Sequence, residues 1–87
     1  MICSGQIKAA RAMLGWSAQS LADASGVGPA TIRRYEMQVG IPSGNTRVLA
    51  LLKATLEGAG VTFTGDPLVN PGVTLNLAMR GSTNGGS

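Results

Sequence analysis

One interruption governs what this chain can become. Residues 20–36 read SLADASGVGPATIRRYE. A helical apolar pattern stops at Ser25-Gly26-Val27-Gly28 and resumes at once behind Pro29. Gly26 suits the residue that closes a helix, because without a Cβ it takes positive φ at no steric cost. Gly28 is an acceptable N-cap, and Pro29 fits the first helical position, where a missing N–H is no loss. So short a connection makes the two helices cross steeply and pack as one helix-turn-helix unit. The second of them, about residues 29–37, carries Arg33 and Arg34 side by side in a chain of only 13% charged residues.

The flanking segments supply the rest of a small core. Residues 4–14 predict a first helix with Ser4 as its N-cap and Ile7, Ala10 and Leu14 as a buried stripe. Gly15 closes it, and Ser17 caps the helix before the break, whose Leu21 and Ala22 point inward. QVGIPSGN, residues 38–45, is a loop. Asn45 or Thr46 caps a fourth helix that runs to about Ala59 and buries Leu49, Leu52 and Leu56. The period then changes to two. VTFT (61–64) and VTLNL (73–77), separated by GDPLVNPG, predict two short strands in a hairpin. A lone hairpin is marginal in water, so this one must pack on the helices or pair with another chain. GSTNGGS, residues 81–87, has nothing to bury and is expected to be disordered.

Eighty-seven residues make one domain with a modest core. A single cysteine, Cys3, rules out an internal disulfide framework, and it is read as an inert N-terminal residue. With no histidine, the usual metal ligand sets and the commonest general base are absent. The four acids, Asp23, Glu36, Glu57 and Asp66, are scattered, and no glycine-rich phosphate loop is present. The reading is therefore of a non-enzyme with no catalytic residues, no cofactor and no metal. No apolar run reaches about 18 residues and no signal-like start is seen, which points to no membrane association and a reducing, cytoplasmic setting.

The formal charge of +3 is compatible with a polyanionic partner, and its placement sharpens the point. With Ile32 facing the core and ~100° per residue, Ala30 and Arg34 fall roughly 160° away and Arg33 about 100° away. Tyr35 and Glu36 fall within about 60° of Ile32, toward the body. A helix with that outward ridge fits the DNA major groove, and arginine is the side chain best shaped for guanine or phosphate. The N-termini of the second and fourth helices offer N–H groups to phosphates. Ser17 and Gln19 at the one, and Asn45, Thr46 and Arg47 at the other, are candidate phosphate donors. For Ser17 and Asn45 plain helix capping is the equal alternative. Arg11 and Glu36 are expected to pair and tie the first helix to the third.

The order LGWSAQSLADASGVGPATIRRYE, residues 14–36, resembles the Xre/lambda-repressor-like (Cro/C1-type) helix-turn-helix family. The shared features are Leu14-Gly15, Leu21-Ala22, Gly26-Val27, Thr31-Ile32 and Glu36. LEGAGVTF and GVTLNL further on resemble a compact bacterial subgroup with a β-rich tail. The resemblance implies a mainly α fold: a four-helix, lambda-repressor-like helix-turn-helix domain followed by a short C-terminal two-stranded β segment. It implies a cytoplasmic, sequence-specific regulator of transcription, of bacterial or phage type, binding double-stranded DNA as a homodimer on a near-palindromic operator. Gly28, Pro29, Ala30 and Thr31 then lead the recognition helix. Pro29 and Ala30 stand where relatives often place hydrogen-bonding side chains, and Ala18 stands where many carry Gln. Base reading would rest on Arg33 and Arg34, with Ala30 against a thymine methyl and DNA shape carrying more of the specificity.

On this reading residues 1–60 form the DNA-binding domain and residues 61–80 a β extension suited to dimerisation, because strands leave edges that a second copy can pair. The exposed side of the fourth helix is the other candidate seam. A different function class is a protein-interaction module, an antitoxin or anti-activator that neutralises a protein partner through the apolar segment after Val61.

Overall fold

The computed structural model describes residues 1–44 and 46–76. The element order is α1 (Ser4–Leu14), α2 (Ala18–Ser25), α3 (Pro29–Met37), α4 (Thr46–Gly58), β1 (Val61–Thr64) and β2 (Gly72–Leu75). Asn45, the expected strand end at Leu77 and the expected tail at 81–87 lie outside the described residues.

The start of α1 differs from expectation. Cys3, with an extended backbone, is the N-cap, and Gln6 Oε1 accepts from the Cys3 N–H at 2.9 Å. Ser4 is instead turned into the protein, 2% exposed. Its hydroxyl is shared between the carbonyls of Gln38 and Gly40, and its own N–H donates to Gly40 O at 2.9 Å. The loop after α3 passes over the first turn of α1, and its carbonyls would lose water there without a donor. A hydroxyl at position 4 meets that need, so capping passes to the residue before it.

The break between α2 and α3 forms as its residues dictate. Gly26 has φ 79° and donates to Ala22 O at 2.8 Å. Ser25 reinforces the corner: its hydroxyl donates to Leu21 O at 2.7 Å and accepts from the Val27 N–H at 3.1 Å. Gly28 caps α3, and Pro29 occupies the first turn.

Ile2, Ile7, Leu21, Ile32, Leu52 and Leu56 are fully buried, with Tyr35 and Val61 almost so. All four helices and β1 thus share one core. The hairpin pairs within the chain, antiparallel, with Val61 opposite Leu75 and Thr64 opposite Gly72. The second strand begins one residue before the expected Val73. One face of the hairpin, Val61, Phe63, Val73 and Leu75, settles on the helices, while Thr62, Thr64 and Thr74 face out. Gln6 locks this arrangement by donating to Gly72 O at 2.9 Å and Thr64 O at 3.3 Å.

Candidate nucleic-acid interface

The ends of α3 determine how it is presented. Ile32, Tyr35 and Glu36 are buried, which turns the opposite face outward. Gly28, Ala30, Arg33, Arg34 and Met37 are exposed on that face, and Pro29 and Thr31 are half-buried at its leading end.

The two arginines part company. Arg34 Cζ lies 5.9 Å from the centroid of the Tyr35 ring, a cation–π geometry that steadies an otherwise exposed side chain. Arg33 lies on the flank toward α1, where it lines a groove with Lys8, Met37 and Val39. The 100° step between neighbours on a helix separates them, so one arginine continues the ridge that Ala30 begins and the other guards its side.

Behind this face, α1 braces α3. Arg11 Nε and Nη2 each donate to one Glu36 carboxylate oxygen at 2.9 Å, and Nη1 donates to Trp16 O at 3.0 Å. The hydrogen bond to Glu36 holds the Arg11 pKa above its ordinary value, against a smaller opposing effect of burial. The pairing read from the sequence is present, and it is bidentate.

The other two helix starts are solvent-facing. Ser17 Oγ caps α2 by accepting from the Ser20 N–H at 3.0 Å, in a reciprocal arrangement with Ser20. Gln19 is exposed and donates to Asp23 Oδ1 at 2.9 Å. To reach a phosphate its amide must leave that neighbour. Thr46 and Arg47 open α4 and are exposed. Asn45 lies outside the described residues. Every described site residue is thus at least partly open to solvent. A helix-turn-helix with an uncovered outer helix, a basic outer ridge and two flanking helix starts is built to meet a polyanionic groove.

A family model described as helix-turn-helix matches residues 7–54, more than half of the chain. The chain belongs to the helix-turn-helix family. The match is of the Xre/Cro type, a family of DNA-binding regulators of transcription and not typically of enzymes. No curated protein and no solved structure matches the chain. The helix-turn-helix match runs from the first buried residue of the α1 stripe to the middle of α4, and it contains every candidate site residue but not the hairpin. Among the described residues no helix is long and apolar enough to cross a membrane.

Sequence reasoning did not single out Lys8, Gln38 or Ser25. Lys8 joins Arg33 only because α1 and α3 pack side by side. Gln38 organises the loop after α3, its Oε1 accepting from the Ser43 N–H at 2.9 Å and hydroxyl at 3.1 Å. Ser25 had a signal, since a serine at a helix end beside a turn commonly bonds nearby backbone.

Proposed function

We propose that this protein is a sequence-specific regulator that inserts α3 into the major groove of double-stranded DNA, as a homodimer on a near-palindromic operator, in the cytoplasm. The observation that carries this reading is the outer face of α3: no described element covers it, and both of its arginines are exposed. Ala30 allows close approach at the leading end, and Arg34 reads a base edge or anchors to a phosphate. Arg33, Ser17, Gln19, Thr46 and Arg47 hold the flanking backbone, as Asn45 would, with Gly28, Pro29 and Thr31 shaping the entry. Residues 1–60 serve DNA and residues 61–80 assembly.

Footprinting on the DNA flanking the protein's own gene supplies a preferred site, and a salt titration on that site tests the reading. Affinity falls steeply with salt, in proportion to the phosphates neutralised. Arg34→Ala costs about 1–3 kcal/mol on the preferred site and relaxes its base preference, whereas Arg47→Ala weakens all sequences alike. A module that only neutralises a protein partner shows no such slope on DNA. Removal of both α3 arginines without any change in sequence preference sinks the groove assignment.

A further inference from the structure

The groove between α1 and α3 contains a cation that the proposed reading leaves unused. Two fastenings set the register of these helices. Ser4, in the first turn of α1, binds the carbonyls of Gln38 and Gly40, and Arg11, further along, binds Glu36. Lys8 stands between them, exposed and one turn before Arg11, and it lines one groove with Arg33, Met37 and Val39. Neither Lys8 nor Arg33 has an acidic partner among the described residues. The chain has only four acids, and each is engaged elsewhere. Glu36 borders the same groove, but both of its carboxylate oxygens accept from Arg11. Asp23 accepts from Gln19, Glu57 lies 4.0 Å from Lys53, and Asp66 accepts from the Leu68 N–H.

We propose that Lys8 and Arg33 together grip one phosphate of the DNA backbone, so that α1 holds the duplex as well as α3. Two cations that line one groove from different helices repel each other until an anion enters between them. Met37 and Val39 offer apolar surface to a deoxyribose beside that charge. A phosphate of DNA is the occupant, and not a free anion, for an energetic reason. An exposed ion pair is worth about 0–1 kcal/mol in water, too little to hold a free phosphate. A phosphate carried to the groove by DNA already bound on α3 arrives at a high effective concentration, so the same weak contacts count. Arg11 and Glu36 tie α1 to α3, and the second grip therefore fixes the tilt of α3 against the duplex. This role for Lys8 rests on the proposed reading of α3 and extends it to a residue outside the helix-turn-helix.

Phosphate-ethylation interference on the preferred site, with affinity measured across a range of salt, tests it. For the wild-type protein, ethylation of one flanking phosphate weakens binding, and that effect disappears in both Lys8→Ala and Arg33→Ala. Lys8→Ala binds every sequence several-fold more weakly at low salt, and its slope of affinity against salt is lower by about one. Lys8→Arg restores the slope. Lys53→Ala, which removes the same charge from α4, keeps the wild-type slope and interference pattern. Circular dichroism is unchanged in the Lys8 and Arg33 variants, because both side chains are exposed. Inorganic phosphate, added at constant ionic strength, displaces no more DNA from the wild type than from Lys8→Ala. Three results overturn the grip: a Lys8→Ala that behaves as Lys53→Ala does, two groove variants that lose different phosphates, or inorganic phosphate that competes in the wild type alone, which marks a free anion as the occupant. Each of these leaves the reading of α3 standing. A wild-type protein with no affinity for DNA at low salt fails that reading and the grip with it.

Discussion

Arg11 shows how one side chain links distant parts of this protein. It joins α1 to α3 through Glu36 and closes the corner at Trp16 O. The Glu36 side chain is 8% exposed and that of Arg11 23%, so removing the cation leaves a nearly buried carboxylate without its partner. Arg11→Ala therefore lowers stability by about 2–3 kcal/mol, below the range for a fully buried pair because Arg11 keeps some water. Glu36→Gln, which retains an acceptor for one of the bonds, costs less than Arg11→Ala. Thermal unfolding of both variants checks the order. Ser25 is a smaller case of the same kind. Ser25→Ala strands the Val27 N–H in a buried corner and costs about 1 kcal/mol by chemical denaturation.

Among the elements, the hairpin has the least room for change. Gly65 has φ 73°, and a Cβ there would stand 2.0 Å from Asn70 O. Gly65→Ala therefore displaces the turn and costs about 3 kcal/mol or more, since a backbone carbonyl cannot move aside as a side chain can. Amide exchange in β1 and β2 should speed up first in that variant; equal acceleration throughout α3 would contradict it. The helices were legible because their signals are local. Gly26, Gly28 and Pro29 specify the corner through backbone geometry alone, and Leu49, Leu52 and Leu56 repeat at helical spacing. Val61–Thr64 was legible from its alternation. Ser4 was misread because a serine before a helix normally caps it, and the carbonyls that claim this one lie 34 and 36 residues away.

For the molecule as a whole, the shared core predicts a single unfolding event. Ile2, Ile32, Leu56 and Val61 come from the N-terminus, α3, α4 and the hairpin, and all are buried together. Gln6 adds a polar tie between α1 and both strands. Trp16 fluorescence, reporting on the α1–α2 corner, and far-ultraviolet circular dichroism should give coincident transitions. A hairpin that melts separately would show as a second transition and would mean that it adds little to the core. The same connectivity bears on function, because Ser4 and Gln6 fix the loop after α3 and the hairpin to one helical turn.

The chain alone settled the local matters: where the corner between α2 and α3 falls, which faces are apolar, where the period turns to two, and that α3 points its cations outward. These follow from backbone sterics and side-chain periodicity, which act over a few residues. The fold alone settled the long-range ones: the parting of Arg33 toward Lys8 and Arg34 over Tyr35, the inward turn of Ser4, the grip of Gln6 on both strands, and the approach of Leu68 to Gly40. Each depends on which elements become neighbours, and that is decided by burying one common core, not by the order of residues along the chain.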